Sequence, residues 1–147
     1  MAAPLATVTP AAAATTAGTL KTLMQPMRVF DSRRPDNFFG RKLTSGDVVA
    51  VTVSPAYEGD DLATAVFVNI TITQPEGAGH LAVVGDDLSG DAPPPTTSNI
   101  NWSTAGVTLA NLALSSVGGE HSIAIWCRGA GRAHVIVDVQ GYVPFVS

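Results

Sequence analysis

A chain of 147 residues is long enough to bury its own core, its single cysteine excludes an internal disulfide, and one thiol with three separated histidines forms no cluster for structural zinc. Charged residues make up 14% of the chain against about 25% in an average domain, so the surface is bland and self-repulsion weak. A net charge of −4 and a pI near 5.1 oppose a general role on nucleic acid or anionic membranes, which calls for a basic footprint.

Residues 1–20 carry no charged side chain and are rich in Ala, Thr and Pro. That is too little apolar surface to offset the cost of ordering. The segment reads either as a disordered tail or as an extended arm that orders along a neighbouring subunit; a helix through AAAATTAG is weakened by Thr15, Thr16 and Gly18. It lacks the positive n-region of a secretory signal, and Pro4 and Pro10 interrupt any h-region, so no export signal is expected. No stretch approaches a membrane span of eighteen or more apolar residues, and the expected product is soluble and made in the cytoplasm.

Five cations then fall between Arg28 and Lys42 in an otherwise acidic chain: Arg28, Arg33, Arg34, Arg41 and Lys42. MRVFD reads as a strand and SRRPDNFFG as a loop, with Phe38 and Phe39 folding back on the core or entering a partner. The cations admit contact with nucleic acid, contact with an acidic protein surface, or ion pairs within the protein; with minimal aromatic interleaving, nucleic acid is the weakest. Together with Phe38 and Phe39 they form the candidate assembly interface.

From Gly46 onward the pattern has period two. DVVAVTV is followed by ATAVFVNITITQ, where Val66, Val68, Ile70 and Ile72 share one face. HLAVVG, TTSNINWS, VTLANLALS, HSIAIWC and RAHVIVDVQGYV continue it, separated by turns and by the acidic, proline-rich GDDLSGDAPPP. About eight short strands without sustained helical periodicity predict an all-β fold, an antiparallel, jelly-roll-like sandwich or barrel over residues 27–147 behind an arm at 1–26. Neither a repeat nor a second domain is evident.

Chemistry is sparse. His134 and Asp138 share the outward side of their strand, but four residues separate them by about 13 Å, too far for a base and its orienter. GxSxG, HExxH, P-loop and GxGxxG motifs are absent. His80 and His121 each sit at a strand start beside a turn. Asp86, Asp87 and Asp91 lack the EF-hand pattern. No catalytic residue, cofactor or metal is expected. Asn69, Asn99, Asn101 and Asn111 sit among large apolar residues, where a carboxamide is costly unless satisfied, and they read as buried polar locks that fix strand register.

An ordered set of motifs spans about residues 27 to 143: Arg28-Val-Phe-Asp31-Ser-Arg33, Val68-Asn69-Ile-Thr71, Pro75-Glu-Gly77-Ala-Gly79, Ser98-Asn99-Ile-Asn101, Ala110-Asn111-Leu112 and His134-Val-Ile136-Val-Asp138-Val-Gln-Gly141-Tyr142. In this set the chain resembles a β-rich module frequent in exported proteins of high-GC Gram-positive bacteria. The resemblance implies a non-catalytic surface or assembly module. Read without an export signal, it suggests a bacteriophage virion protein, assembled in the host cytoplasm: a capsid decoration or accessory protein that binds the major capsid protein or another virion protein and forms a homo-oligomer, a trimer by preference. The alternative is a host-surface or carbohydrate-binding module using Trp102, Trp126 or Tyr142 beside Asn99 or Asn101.

Overall fold

The computed structural model describes residues 18–38, 40–87 and 89–146. Nine strands form two antiparallel sheets with one core between them. The first sheet holds β1 (Lys21–Asp31), β4 (Ala63–Glu76), β7 (Leu109–Ser116) and β9 (Arg132–Pro144), in the order β1-β9-β4-β7, with the two-residue β2 (Leu43–Thr44) also on β9. The second runs β3-β8-β5-β6, from β3 (Val48–Thr52), β5 (Gly79–Gly85), β6 (Ile100–Trp102) and β8 (Ser122–Gly129). Leaving β2 aside, the strands pair from the chain ends inward: β1 with β9, β3 with β8, β4 with β7 and β5 with β6. This nesting is that of a jelly roll, a ribbon of four strand pairs wrapped into two sheets.

The expected alternation builds the core. Val66, Val68, Ile70 and Ile72 of β4 and Ala133, Val135, Val137 and Val139 of β9 are fully buried, facing Leu81, Ile123, Ile125 and Cys127 of the second sheet. Each such aliphatic contributes about 1.5–3 kcal/mol by leaving water. Burial pushes the Cys127 thiol up to about 11, with Asp47 adding to the shift, so it remains a protonated core residue.

Irregularities matter as much. β9 carries one extra residue between Val139 and Gly141, since Val68 pairs with Val139 and Phe67 with Gly141. This bulge flips the alternation and turns Tyr142 inward, where it is fully buried. Plain alternation would have left it on the outer face with Asp138. β1 pairs with β9 from Lys21 onward, which moves the domain boundary upstream of Met27; the expectation for residues 1–17 lies outside the described residues. α1 (Pro35–Phe38) is a single turn that lays Phe38 edge-on against Phe30, at 6.3 Å between ring centres. Phe39 lies outside the described residues. No helix among the described residues is long and apolar enough to cross a membrane.

Candidate functional site

The motif residues converge where the end of β1 meets β9. Asp31 ends β1 and takes a two-pronged ion pair from Arg33, Nε to Oδ1 at 2.9 Å and Nη2 to Oδ2 at 2.8 Å, plus the Arg33 amide at 3.1 Å. Arg33 beside it holds the buried Asp31 carboxyl below its usual value, aided by Arg28. Arg28 forks onto Asp138, its cross-strand partner, at 2.9 and 3.3 Å. Ser32, fully buried, accepts the Val135 amide at 2.8 Å and shares a hydrogen bond with His134 Nδ1 at 2.9 Å. With both contacts made and no exposed surface, Ser32 is a clamp between β1 and β9. Burial, with Lys42 and Arg33 nearby, holds His134 below its usual value and favours its neutral ring.

The remaining cations of the candidate interface are also answered within the chain. Arg34 pairs with Asp36 at 3.2 Å, Arg41 with Asp47 at 3.2 Å while covering the Phe38 ring, and Lys42 with Glu76 at 2.9 Å, where Arg132 joins them. Of the three readings open for this segment, ion pairs within the protein are the one the geometry matches: a carboxylate of the same chain stands against each of the five cations.

The asparagines divide. Asn99 receives the Val83 amide on Oδ1 at 2.8 Å, gives its own amide to Leu81, and accepts Asn111 Nδ2 on its carbonyl at 2.8 Å. Asn99 and Asn111 thus stitch β5 to β7 across the open side of the sandwich. They are not buried, as had been expected: Asn99 is half-buried and Asn111 exposed, because both lie along the sandwich edge. Asn101 is exposed, with Ser98 donating to it at 3.1 Å, and Asn69 is half-buried on the outer face of β4. Trp102 packs inward over Gly79, where a Cβ would overlap the indole. Tyr142 donates to Asp61 at 2.7 Å, which also takes Lys21, and accepts the Glu58 amide at 2.8 Å, fixing the loop before β4.

Nearly every motif residue is thus occupied in holding the sandwich together, and functional surface must be sought elsewhere. Two places stand out; the sequence reading named Trp126, the Asp86–Asp87 loop and the Ala110-Asn111-Leu112 motif separately, without joining the first two or marking the strand of the third as an edge. The first is β7, an edge strand of eight residues without charge or proline, on which Leu112 and Leu114 are 63% and 59% exposed and Leu109 37%. Edge strands are ordinarily blunted by charge, proline or brevity, and this one is not. The signal was legible as LANLALSS, an alternating strand whose two faces are both apolar or small. The second is a cavity of about 400 Å³ on the outer face of the second sheet, bounded by Trp126, Val48, Val84, Pro93 and Asp86 among others. His80 and Arg128 are cross-strand neighbours on that face; His121 precedes β8 and sets its ring edge-on to Tyr57. Among the described residues no three His, Cys, Asp or Glu side chains gather in a ligand cluster.

Comparison with protein-family models, with curated proteins and with solved structures returns no match.

Proposed function

We propose that this chain is a non-catalytic structural protein that works by assembly, self-associating and seating on a larger protein shell as a decoration or accessory protein of a bacteriophage capsid. The observation that carries this reading is the unblunted edge of β7. Among the described residues no strand pairs with that side, so its backbone N–H and C=O groups there are an open template, and the leucines of its outer face gain from burial against a partner. A second copy is the simplest occupant, because the strand is uncharged and opposes no like charges in any register. Such a contact about a two-fold axis closes on itself, so it favours a dimer over the trimer expected above. The jelly roll is consistent with a shell protein, although lectins share it, and that support is analogy of fold alone. The motif resemblance adds the non-catalytic character.

Sedimentation velocity across a range of concentrations tests the reading. The full chain should give a discrete oligomer, and Leu112→Lys with Leu114→Lys should give a monomer. Both residues are exposed, so the unfolding free energy of the chain should move by no more than about 0.5 kcal/mol. A wild-type chain that stays monomeric at every concentration overturns the proposal.

The carbohydrate-binding alternative keeps one of its three aromatics. Trp102 and Tyr142 are buried, while Trp126 is half-exposed, with Arg128 above its ring at 5.5 Å.

A further inference from the structure

We propose that the cavity beside Trp126 is a docking site for a basic side chain, lysine or arginine, presented by a protein partner.

The charge distribution points there first. Among the described residues, seven of the twelve carboxylates lie within ion-pair distance of a cation: Asp31, Asp36, Asp47, Glu58, Asp61, Glu76 and Asp138. The five without such a cation are Asp60, Asp86, Asp87, Asp91 and Glu120. Asp86 and Asp87 line the cavity, Asp91 follows in the same loop, and Glu120 adjoins Gly119, whose amide donates to the Asp86 carbonyl. Four of these five, all but Asp60, therefore gather at one end of the second sheet, on which Arg128 is a cation without a carboxylate in ion-pair distance among the described residues.

The shape of the cavity supplies the second argument. Val48, Val84 and Ala124 form its floor, Pro93 and Pro95 a wall, and Trp126 an aromatic face. Such a slot accepts the methylene stem of a lysine or arginine against Trp126, with the charged head reaching the carboxylates, while Arg128 of the same chain already lies over the indole at 5.5 Å. The root of Asp86 is fixed: its amide donates to Ser122 at 3.2 Å, its carbonyl accepts Gly119 at 3.1 Å, and the backbone of Gly118 packs against it so closely that a Cβ would overlap. Asp87 takes the amide and hydroxyl of Ser89 on Oδ1, and the Ala92 amide adds to the hydrogen bonds that hold its carboxyl below the usual value.

The same lining disfavours a sugar. Its polar side chains, apart from the indole N–H, are carboxylates, which only accept, whereas a sugar hydroxyl both donates and accepts and is best held by a mixed set. The inference does not depend on β7 and stands even if the chain is monomeric.

The test follows the two indole N–H signals of the full chain by nitrogen-edited NMR during titration with acetyl-Gly-Lys-Gly-amide and acetyl-Gly-Arg-Gly-amide. The norleucine analogue and the methyl glycoside of N-acetylglucosamine serve as comparison ligands. The expected result is a saturable shift of Trp126 with Trp102 unmoved, for the cationic peptides alone. Asp86→Asn with Asp87→Asn, on an exposed loop that leaves the core intact, should weaken it by about tenfold, and added salt should weaken it further. Three results overturn the proposal: no saturable shift with either cationic peptide, norleucine binding as well as lysine, or affinity unchanged in the double variant. A shift with the glycoside alone would assign the cavity to carbohydrate. The sedimentation of the same samples reads β7 separately.

Discussion

Tyr142 joins three parts of the chain with one hydroxyl, donating to Asp61 and accepting from Glu58 while its ring fills the core. Tyr142→Phe keeps the packing and leaves the Glu58 amide and one Asp61 oxygen without that partner, so it should cost about 1–3 kcal/mol in chemical denaturation. Asp31 and His134 set the response to acid. The folded-state value of His134 lies below its usual 6.5, so the stability it contributes is complete above that pH and declines as pH falls below it. That of Asp31 lies below its usual 3.8, so its contribution is present above that value and disappears as pH falls through the still lower folded one. Melting temperature against pH should therefore fall in two stages, and His134→Gln should remove the upper one. At this scale the sequence was readable where alternation was unbroken. The buried faces of β4 and of β9 as far as Val139 followed from period two, whereas the inward turn of Tyr142 depends on a bulge whose one local sign in VQGY is Gly141, a glycine inside a strand.

Among the elements, the open side of the sandwich is held by unusually little. β6 has three residues, and besides its ladder with β5 and the buried Ile100 it is tied through Trp102 on Gly79 and through Asn99. Gly79→Ala should destabilise by about 1–3 kcal/mol, because the new methyl and the indole cannot occupy the same space. Asn99→Ala should cost a similar amount and raise hydrogen exchange at the Val83 amide, which loses its acceptor. Unchanged exchange there would mean that Asn99 does not hold β6 in register. The start of β1 was hidden in the sequence, since Pro26 and two register shifts break the pattern across KTLMQPMR. The cations were visible as a cluster, but their partners lie as far as 110 residues away, and spacing alone does not show which carboxylate each will meet.

For the molecule as a whole, the run of alternating strands called for an antiparallel, jelly-roll-like sandwich or barrel, and the nested pairing gives it as a jelly-roll sandwich. The nesting is a property of long-range contacts, which explains why strand content was easier to read than strand order. It also sets the order in which the protein is able to form. β9 follows every other strand in the chain, yet it is the central member of the first sheet, flanked by β1 and β2 on one side and β4 on the other. During synthesis, the fourteen residues of β4, with four fully buried aliphatics, must wait for β9 to leave the ribosome before the neighbour on their main pairing edge exists. Folding is thus deferred until β9 has emerged, in a chain with little charge to keep its exposed strands apart.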